Sequence, residues 1–485
     1  MSDAERFPTQ LVIGGERVNA AAGRTFDVEN PATEQIIAQV AEGDAADIDR
    51  AVASARATFE SDQWRTMSAR ARGAIVYRLG ELIMEHKDEL ARLETLNNGK
   101  PIFESHIDVR LTADTFKYYG GWADKIHGET VPVDGNFFNY TLREPLGVIG
   151  AITPWNFPMS LAAWKIAPAL ACGNTIVLKP ATQTPFTAVR MAELALEAGL
   201  PAGAFNCVPG GGRTAGMALV RHPDVDKIAF TGSTEVGKLV MREAAASVKK
   251  LSLELGGKSP NIVYADADLD AAARGALNGI FYGKGEVCAA GSRLLVEDTV
   301  REALTAKILE RAKKMVAGDP LNPKTRLGAI VSKAQMESVL AYIKKGKDEG
   351  AELLSGGERT PVDGKGYFVQ PTIFGGVNSK MTIAREEIFG PVLALMTFTG
   401  GFDGAVALAN DTIYGLAAGI WTRDVGKALR TARAVRAGTV WINTYNMYDA
   451  ASAFGGYKQS GFGRELGIHA IDGYTQIKSV WVDLS

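Results

Sequence analysis

The chain has 485 residues, of which 46% are hydrophobic and 22% are charged, and its formal net charge is -2. This length exceeds what one hydrophobic core usually organises, so we expect two or more domains. A net charge so close to zero gives no electrostatic reason to expect binding to nucleic acid or to an anionic membrane. No apolar run approaches the length of a membrane span.

Cysteine usage and the N-terminal residues point to the same compartment. The three cysteines, Cys172, Cys207 and Cys288, are widely spaced and odd in number, which argues against a disulfide framework. Residues 1–6 are polar and form no apolar signal region, so we expect no signal peptide. Together these features predict a cytoplasmic protein.

Short strands followed by amphipathic helices account for the first 124 residues. Strands are predicted over residues 10–18 and 24–28, around the turn at Gly14 and Gly15. Helical spacing of apolar residues begins after Asp44, which is a candidate N-cap, and returns over residues 68–97 and 107–124. We interpret this region as a packed helical scaffold.

Two strand-like segments far apart in sequence are predicted to join subunits. Residues 131–142 alternate around the turn at Asp134 and Gly135, as a β-hairpin does. Residues 475–482 form a second extended segment. Because unpaired strand edges are a liability, we expect both segments to pair with another subunit in a homo-oligomer, either a dimer or a tetramer. The alternative is that both fold back on their own chain.

Buried strands alternate with helices from residue 146 onward. Near-continuous apolar strands are predicted at residues 147–152, 175–178, 205–208 and 227–230. This alternation is typical of a parallel, doubly wound sheet, which binds ligands beyond the carboxyl ends of its strands. Two of those ends carry glycine-rich loops, at 210–212 and 232–237, whose amides can bind phosphate. A second α/β unit is predicted after residue 257.

A cysteine framed by glycines lies between a predicted helix and the strand at residues 293–296. Gly285 and Gly291 flank Cys288 and leave backbone room for another molecule to approach. An ionised thiol is a nucleophile, so we expect Cys288 to attack a carbonyl carbon. A lone cysteine can instead be a small buried hydrophobe, and that interpretation suits Cys172 and Cys207.

Five motifs occur in a fixed order along the chain. They are Thr-Pro-Trp-Asn-Phe-Pro at 153–158, Leu-Glu-Leu-Gly-Gly-Lys at 253–258, Phe-x-x-x-Gly-Glu-x-Cys-x-Ala-Gly at 281–291, Glu-Ile-Phe-Gly-Pro at 387–391, and Phe-Gly-Gly-Tyr-Lys-x-Ser-Gly at 454–461. Together they make the chain resemble the NAD(P)-dependent aldehyde dehydrogenase superfamily over essentially its full length. The resemblance implies an α/β fold with a Rossmann-like cofactor domain, an α/β catalytic domain and a small β oligomerisation arm.

The domain limits expected from this resemblance follow the order of the chain. Residues 1–124 and 146–256 form the two parts of the cofactor-binding domain, and residues 125–145 form the oligomerisation hairpin. Residues 257–459 form the catalytic domain, and residues 460–485 form a C-terminal segment with the oligomerisation strand. The implied reaction is oxidation of an aldehyde to the carboxylic acid with NAD or NADP.

Four residues match the catalytic positions of the superfamily. Cys288 resembles the nucleophile that forms a thiohemiacetal with the aldehyde, and the Asn156 amide and the Cys288 backbone N–H resemble the oxyanion donors. Glu254 matches the base that activates the hydrolytic water, and its apolar neighbours are expected to raise its pKa. Lys165 resembles a lysine that supports the oxyanion and base region. No metal site is predicted.

Other matched positions are implied to bind cofactor or substrate. The cofactor positions are Trp155, Lys179, Thr182, Gly212, Ser233, Glu387 and Phe389. Phe157, Trp164 and Phe454 are implied to line the substrate tunnel, with Tyr445 and Met447 near its mouth. An aromatic, uncharged wall favours apolar or aromatic aldehydes, although it can also hold the quaternary ammonium of betaine aldehyde or an aminoaldehyde.

Three residues depart from the usual pattern of the superfamily. Thr182 replaces a glutamate that many NAD-preferring members carry, and the lost negative charge makes use of NADP plausible. Glu286 replaces a glutamine, and its carboxylate can raise the pKa of Cys288 or act as a second base. We favour a solvent-facing Glu286 or one paired with an arginine. Ala453 replaces a proline at the substrate mouth.

Two further functions remain open from the sequence. One is a CoA-acylating enzyme, in which CoA rather than water takes the thioester, although retention of Glu254 favours hydrolysis. The other is an inactive homologue that merely binds nucleotide, and the set of Cys288, Glu254 and Asn156 argues against it.

Overall fold

The computed structural model describes residues 7–485, and its largest sheet has eight strands. The strands are β1 (Leu11–Ile13), β2 (Glu16–Val18), β7 (Val148–Ile152), β8 (Thr175–Lys179), β9 (Phe205–Cys207), β10 (Lys227–Thr231), β11 (Lys250–Glu254) and β19 (Gly461–Phe462). They lie in the order β19-β11-β10-β7-β8-β9-β1-β2. The five central strands are parallel, and antiparallel strands close both edges. The predicted doubly wound parallel sheet is therefore confirmed.

Helices cover both faces of this sheet. They are α1 (Ala45–Glu60), α2 (Asp62–Arg65), α3 (Ala69–Glu85), α4 (Lys87–Asn98), α5 (Ile102–Trp122), α6 (Pro158–Ala171), α7 (Phe186–Glu197), α8 (Met217–Arg221) and α9 (Thr234–Ala244). Alternate strand residues pack on opposite faces, since Ile149 joins the core with α3, α5 and α6, whereas Val148 joins the core with α1. Asp44 caps α1 as predicted, by accepting a hydrogen bond from the amide of Ala46.

A second sheet of seven strands follows in the chain. Its strands are β12 (Pro260–Val263), β13 (Arg293–Glu297), β14 (Glu352–Ser355), β15 (Thr372–Gly375), β16 (Val392–Phe398), β17 (Ala417–Trp421) and β18 (Thr439–Ile442). The order is β14-β15-β16-β13-β12-β17-β18, and only the β14 pairing is antiparallel. The helices of this unit are α10 (Leu269–Phe281), α11 (Arg301–Ala312), α12 (Lys333–Asp348), α13 (Thr382–Arg385), α14 (Gly401–Asn410) and α15 (Val425–Ala434).

Helix α6 joins the two sheets into one site. Every one of its 14 residues is buried, including Ser160 and Lys165, and most of the others are apolar, as expected for a helix inside a core. Ile166 packs into the core of the first sheet, whereas Leu161 and Trp164 pack into the core of the second. One face of α6 therefore packs against the second sheet.

The predicted subunit-pairing segments pair with each other. Strands β5 (Thr130–Val131), β6 (Phe137–Pro145) and β20 (Thr475–Asp483) form a three-stranded antiparallel sheet in the order β20-β6-β5. The hairpin turn is confirmed, with Gly135 at a φ of 88°. Nine residues of β20 pair with β6 within one chain, so the expectation that these two strands each pair with another subunit is wrong for this shared edge. The predicted homo-oligomer itself stays a prediction.

Two small elements remain in the described chain. A two-stranded ribbon, β3 (Thr25–Asn30) with β4 (Gln35–Ala41), and helix α16 (His469–Asp472) complete the fold. Within residues 7–485, no helix is long and apolar enough to cross a membrane. Across the same residues, no cluster of side chains has the composition of a metal site. The predicted lack of a signal peptide concerns residues 1–6, which lie outside the described residues.

Candidate active site

Cys288 lies on an irregular segment between α10 and β13, as the sequence indicates. Other segments of this protein, rather than a ligand, occupy the space beside the two flanking glycines. A Cβ on Gly285 would lie 2.2 Å from the carbonyl oxygen of Gly390, and one on Gly291 would lie 3.0 Å from the ring of Tyr445. The glycines therefore let neighbouring segments pack closely around the cysteine. The expectation of open backbone room for a ligand is wrong at these two positions.

The Cys288 thiol faces two cavities at once. One cavity has a volume of about 290 Å³ and the other about 350 Å³, and Cys288 contributes to the wall of both. Burial, together with the nearby carboxylates of Glu387 and Glu254, raises the pKa of the thiol to about 12. The thiol is therefore protonated at neutral pH in this structure and needs a base before it can attack.

The other two cysteines are buried in the first domain as small hydrophobes. Cys172 and Cys207 expose 5% and 0% of their surface, and burial raises the pKa of Cys172 to about 12. Burial also raises the pKa of Cys207. Neither residue lines either cavity at Cys288, and all three cysteines are free thiols.

The first cavity has a largely aromatic wall that includes every predicted substrate residue, but the expectation of an uncharged wall is wrong, because Asp108, Arg110 and Asp449 also line it. Trp164 and Phe454 meet edge to face with ring centroids 5.4 Å apart, and Phe157, Tyr445 and Met447 also line this space. Two tyrosines that the motifs did not single out complete the wall. Tyr282 stacks on Phe157 at 6.3 Å, and Tyr448 contacts Trp164 and Phe454. The aromatic richness of residues 440–456 was the only sequence signal for Tyr448.

The second cavity extends from Cys288 to the carboxyl ends of β10 and β11. Trp155, Ser233, Glu387 and Phe389 line it, as predicted. Ser233 caps α9 by accepting a hydrogen bond from the amide of Val236, so the N-terminus of this 11-residue helix faces the cavity edge. Such a helix end attracts phosphate through its free amides and its dipole.

Glu387 holds a carboxylate beside the cysteine. Its Oε1 accepts a hydrogen bond of 2.9 Å from the amide of Gly257, and burial raises its pKa to about 7. A Cβ on Gly256 would approach the Glu387 carboxylate to 2.2 Å, so any larger residue there would displace that carboxylate. Phe389 adopts a left-handed φ of 57° and packs edge to face on Trp155 at 5.2 Å.

Three predicted cofactor residues lie along the same sheet edge but outside this cavity. Lys179 ends β8, is buried, and donates a hydrogen bond of 3.1 Å to the carbonyl of Gly210; burial lowers its pKa to about 8. Gly212 begins a π-helical turn, and a Cβ built there would meet nothing within 4 Å. The Thr182 hydroxyl donates a hydrogen bond of 3.3 Å to the side-chain oxygen of its neighbour Gln183.

These features fit a dinucleotide. The helix end at Ser233 suits a phosphate, the open surface at Gly212 suits a flat ring, and the Glu387 carboxylate suits ribose hydroxyls. No acidic side chain stands at position 182.

Asn156 is buried between the two cavities. Its Nδ2 donates a hydrogen bond of 2.9 Å to the carbonyl of Glu286, two residues before the nucleophile. An amide nitrogen carries two N–H groups, so the second remains for an oxyanion. Among residues 7–485, no main-chain oxygen accepts from the Cys288 N–H. The two predicted oxyanion donors are therefore both available.

Glu254 ends β11 and is buried with 4% exposure. Neither of its carboxylate oxygens has a hydrogen-bond partner within the described chain. Burial raises its pKa, as the sequence predicted, and the neighbouring carboxylate of Glu465 adds to this shift. Lys165 donates to Thr231 at 2.6 Å and forms an ion pair with Glu465. Lys165 thus lies on the base side of the site.

The favoured role of Glu286 is wrong. This carboxylate is 1% exposed and pairs with Lys284 at 2.7 Å, not with solvent or an arginine. The carboxylates that raise the pKa of Cys288 are Glu387 and Glu254. The second partner of this carboxylate is the amide of Val331, which lies 45 residues away in the chain, so the local sequence could not show the contact.

Comparison with known proteins identifies the family. The model of the aldehyde dehydrogenase family matches residues 18–480. Human aldehyde dehydrogenase 1A1 is 49% identical over 488 residues, covering 100% of this chain and 97% of that protein. The Bacillus cereus aldehyde dehydrogenase, solved as an NAD+ complex, is 48% identical with a TM-score of 0.98, covering 100% and 99% of the two chains.

The name of a third relative states the aldehyde on which that protein acts. The indole-3-acetaldehyde dehydrogenase AldA of P. syringae, solved with NAD+ and IAA, is 46% identical with a TM-score of 0.97, covering 99% and 97% of the chains. The chain therefore belongs to the aldehyde dehydrogenase family, and the resemblance predicted from the five motifs is confirmed.

Proposed function

We propose that this protein oxidises apolar or aromatic aldehydes to carboxylic acids with NAD or NADP. The observation that carries the proposal is the position of Cys288 at the wall between two cavities. One of these is aromatic and suits the aldehyde, and the other reaches the helix end and the carboxylate that suit a dinucleotide. A nucleophile at this junction can hold the aldehyde carbon between the dinucleotide, which oxidises it, and the cavity that binds the rest of the aldehyde.

The residues of this chain then divide the reaction between them. After the Cys288 thiol gives its proton to a water molecule, the thiolate forms a bond to the aldehyde carbon, and the carbonyl electron pair moves to oxygen, where Asn156 Nδ2 and the Cys288 N–H donate to it. When bound, NAD or NADP supplies a hydride acceptor, and the oxidised carbon stays on Cys288 as a thioester. Glu254 takes a proton from water, which attacks the thioester and releases the acid and the thiol.

Substrate choice follows from the composition of the first cavity. Its aromatic wall offers dispersion and ring stacking to an apolar or aromatic aldehyde. AldA of P. syringae, whose name states indole-3-acetaldehyde, is consistent with such a substrate class. A betaine aldehyde or aminoaldehyde is the second candidate, because an aromatic wall also attracts a quaternary ammonium. The buried base Glu254 supports hydrolysis over acyl transfer to CoA.

A panel of aldehydes tests this proposal directly. Phenylacetaldehyde, hexanal, betaine aldehyde and a phosphorylated aldehyde are each incubated with NAD or NADP, with and without CoA. Reduced cofactor is followed by absorbance and the product by mass spectrometry. We expect the free acid from the aromatic and apolar aldehydes, and no dependence on CoA. Acyl-CoA as the product, or no reduced cofactor with any aldehyde, would contradict the proposal.

Thr182 is expected to permit NADP at a rate at least comparable to NAD. Thr182→Glu places a carboxylate where the Thr182 hydroxyl now forms a hydrogen bond with Gln183, and its charge repels a 2′-phosphate. Like charges brought together cost several kcal/mol, so kcat/KM for NADP should fall about 100-fold with that for NAD retained. Thr182→Gln tests the added length without the charge. A wild-type enzyme with a large NAD preference, measured by steady-state kinetics, would refute this prediction.

We also propose a homo-oligomer, a dimer or tetramer, built through the three-stranded arm. Several large apolar side chains of the arm are exposed, and β20 leaves one edge unpaired over nine residues. Ile477→Glu combined with Trp481→Glu should lower the mass measured by light scattering to that of a smaller species, with an unchanged circular dichroism spectrum. Val316→Glu, at another exposed position, serves as the control.

The domain limits drawn from the sequence remain proposals. Residues 1–124 and 146–256 would bind the cofactor, 257–459 would carry the nucleophile, and 125–145 with 460–485 would supply the arm. The cytoplasmic location inferred from unpaired cysteines is likewise a prediction.

A further inference from the structure

A group of buried charged side chains lies beside the active site and takes no part in the reaction proposed above. They come from α4, the loop between α4 and α5, α5 itself and the turn before the nucleophile: Glu94, Lys100, Glu104, Asp108, Lys284 and Glu286. Each is 2% exposed or less. Buried charges are costly to keep unless they are paired, so their arrangement calls for a structural reason.

Lys284 is held in a left-handed conformation. Its φ of 62° follows Gly283 at 56°, and Gly285 continues at 73°. A residue with a side chain rarely adopts such a backbone, and it persists only where surrounding contacts fix it. The turn that leads to Cys288 therefore needs an anchor.

Three oxygens surround the Lys284 ammonium and provide that anchor. Nζ donates to the carbonyl and to the Oδ1 of Asn98, each at 2.8 Å, and pairs with Glu286 Oε2 at 2.7 Å. The other oxygen of Glu286 accepts a hydrogen bond of 3.1 Å from the amide of Val331. The lysine thus ties α4, the turn and a third segment together.

The same contacts lead back to the oxyanion donor. Nδ2 of Asn98 donates to the carbonyl of Trp155 at 2.8 Å, which places the segment that carries Asn156. Asn156 in turn donates to the carbonyl of Glu286 at 2.9 Å. The contacts form a closed circuit through Lys284, Asn98, Trp155, Asn156 and Glu286. Cys288 follows Glu286 by two residues.

We propose that Lys284 and Glu286 are positioning residues that fix the Asn156 amide relative to the Cys288 sulfur. Neither side chain lines the cavities at Cys288, so both act through Asn156 and through the backbone of the turn. The inference rests on the proposed function, because it needs an oxyanion at Asn156.

A double-mutant cycle, read out by enzyme kinetics, tests whether Glu286 acts through Asn156. Wild type, Glu286→Gln, Asn156→Ala and the combined variant are compared by kcat/KM for the best aldehyde of the panel. Glu286→Gln removes the charge, keeps the shape and faces Lys284 with an amide donor. We expect a loss of at least tenfold in kcat, with the KM for the dinucleotide changed by less than threefold. Asn156→Ala should then cost about 100-fold in wild type but less than tenfold in Glu286→Gln.

Replacing both Lys284 and Glu286 with neutral amides distinguishes a positioning role from a direct effect of their charges. Lys284→Gln should resemble Glu286→Gln, whereas the double variant Lys284→Gln/Glu286→Gln should recover at least half of the loss on a logarithmic scale, because two amides can pair. This double variant also avoids an unpaired buried charge if a single variant fails to fold. Asn174→Ala, which removes a buried hydrogen-bonding amide elsewhere, should lower the melting temperature without changing kcat.

The outcomes separate this inference from the proposed function. Full additivity of Glu286→Gln and Asn156→Ala, or a loss confined to the melting temperature, would overturn the positioning role while wild-type activity stands. Absence of aldehyde oxidation by the wild type would overturn the proposed function itself.

Discussion

Cys288→Ala is expected to abolish aldehyde oxidation, with a fall in kcat of about four orders of magnitude or more. Cys288 alone among the three cysteines lines both cavities, so no second thiol can form the bond to the aldehyde carbon. Without that bond there is no thioester and no acid. The reduced cofactor and the acid formed per subunit are measured over several hours, at an enzyme concentration high enough to detect one turnover.

Two cysteines serve as matched controls for this variant. Cys172→Ala and Cys207→Ala delete buried sulfurs and leave small cavities, so each should lower the melting temperature and keep kcat within about twofold. Iodoacetamide should label Cys288 faster as pH rises, because burial raises the pKa of its thiol and the thiolate is the reactive form. Aldehyde oxidation that survives Cys288→Ala would refute the covalent mechanism.

Local sequence predicted the strands, helices and caps well because each depends on residues close in the chain. The strand Val148–Ile152 reads as a continuous apolar run and is fully buried on both faces. Asp44 precedes a helical pattern and caps it. The site residues carried by motifs also lie at the carboxyl ends of parallel strands, since Asn156 is in the loop after β7 and Glu254 ends β11.

Contacts between segments that are distant in the sequence could not be predicted from local sequence patterns. Lys165 and Glu465 are 300 residues apart, and their ion pair forms only when α6 reaches the segment after β19. Glu286 looked like an exposed departure from pattern, yet Lys284 and the Val331 amide bury it. The pairing of β20 with β6 also joins residues about 340 apart. Burial and partner choice are tertiary properties, so spacing within a motif cannot supply them.

Glu254→Gln is expected to stop the reaction after the first turnover. The amide keeps the size of the side chain but cannot take a proton from water, and a positioned base contributes about 10²- to 10⁴-fold. Thioester formation should continue, so reduced cofactor should appear in a burst close to one equivalent per subunit. The acyl group should then remain on Cys288, visible as a mass increase of the intact protein.

The pH profile provides an independent test of the same residue. Burial and the Glu465 carboxylate raise the pKa of Glu254, so its proton persists to higher pH than that of an ordinary glutamate. A protonated carboxyl cannot act as a base, so wild-type kcat should fall as pH falls through this raised pKa. The ionisation should vanish from the profile of Glu254→Gln.

A structural glutamate separates loss of the base from loss of a buried carboxylate. Glu193 is 8% exposed and pairs with Arg17 and Arg190, so Glu193→Gln should reduce stability and leave the burst and the steady state in wild-type proportion. If Glu254→Gln instead hydrolyses its acyl-enzyme at the wild-type rate, the water-activating base lies elsewhere. Glu465 is then the next carboxylate to substitute, because it is buried beside Glu254 and paired with Lys165.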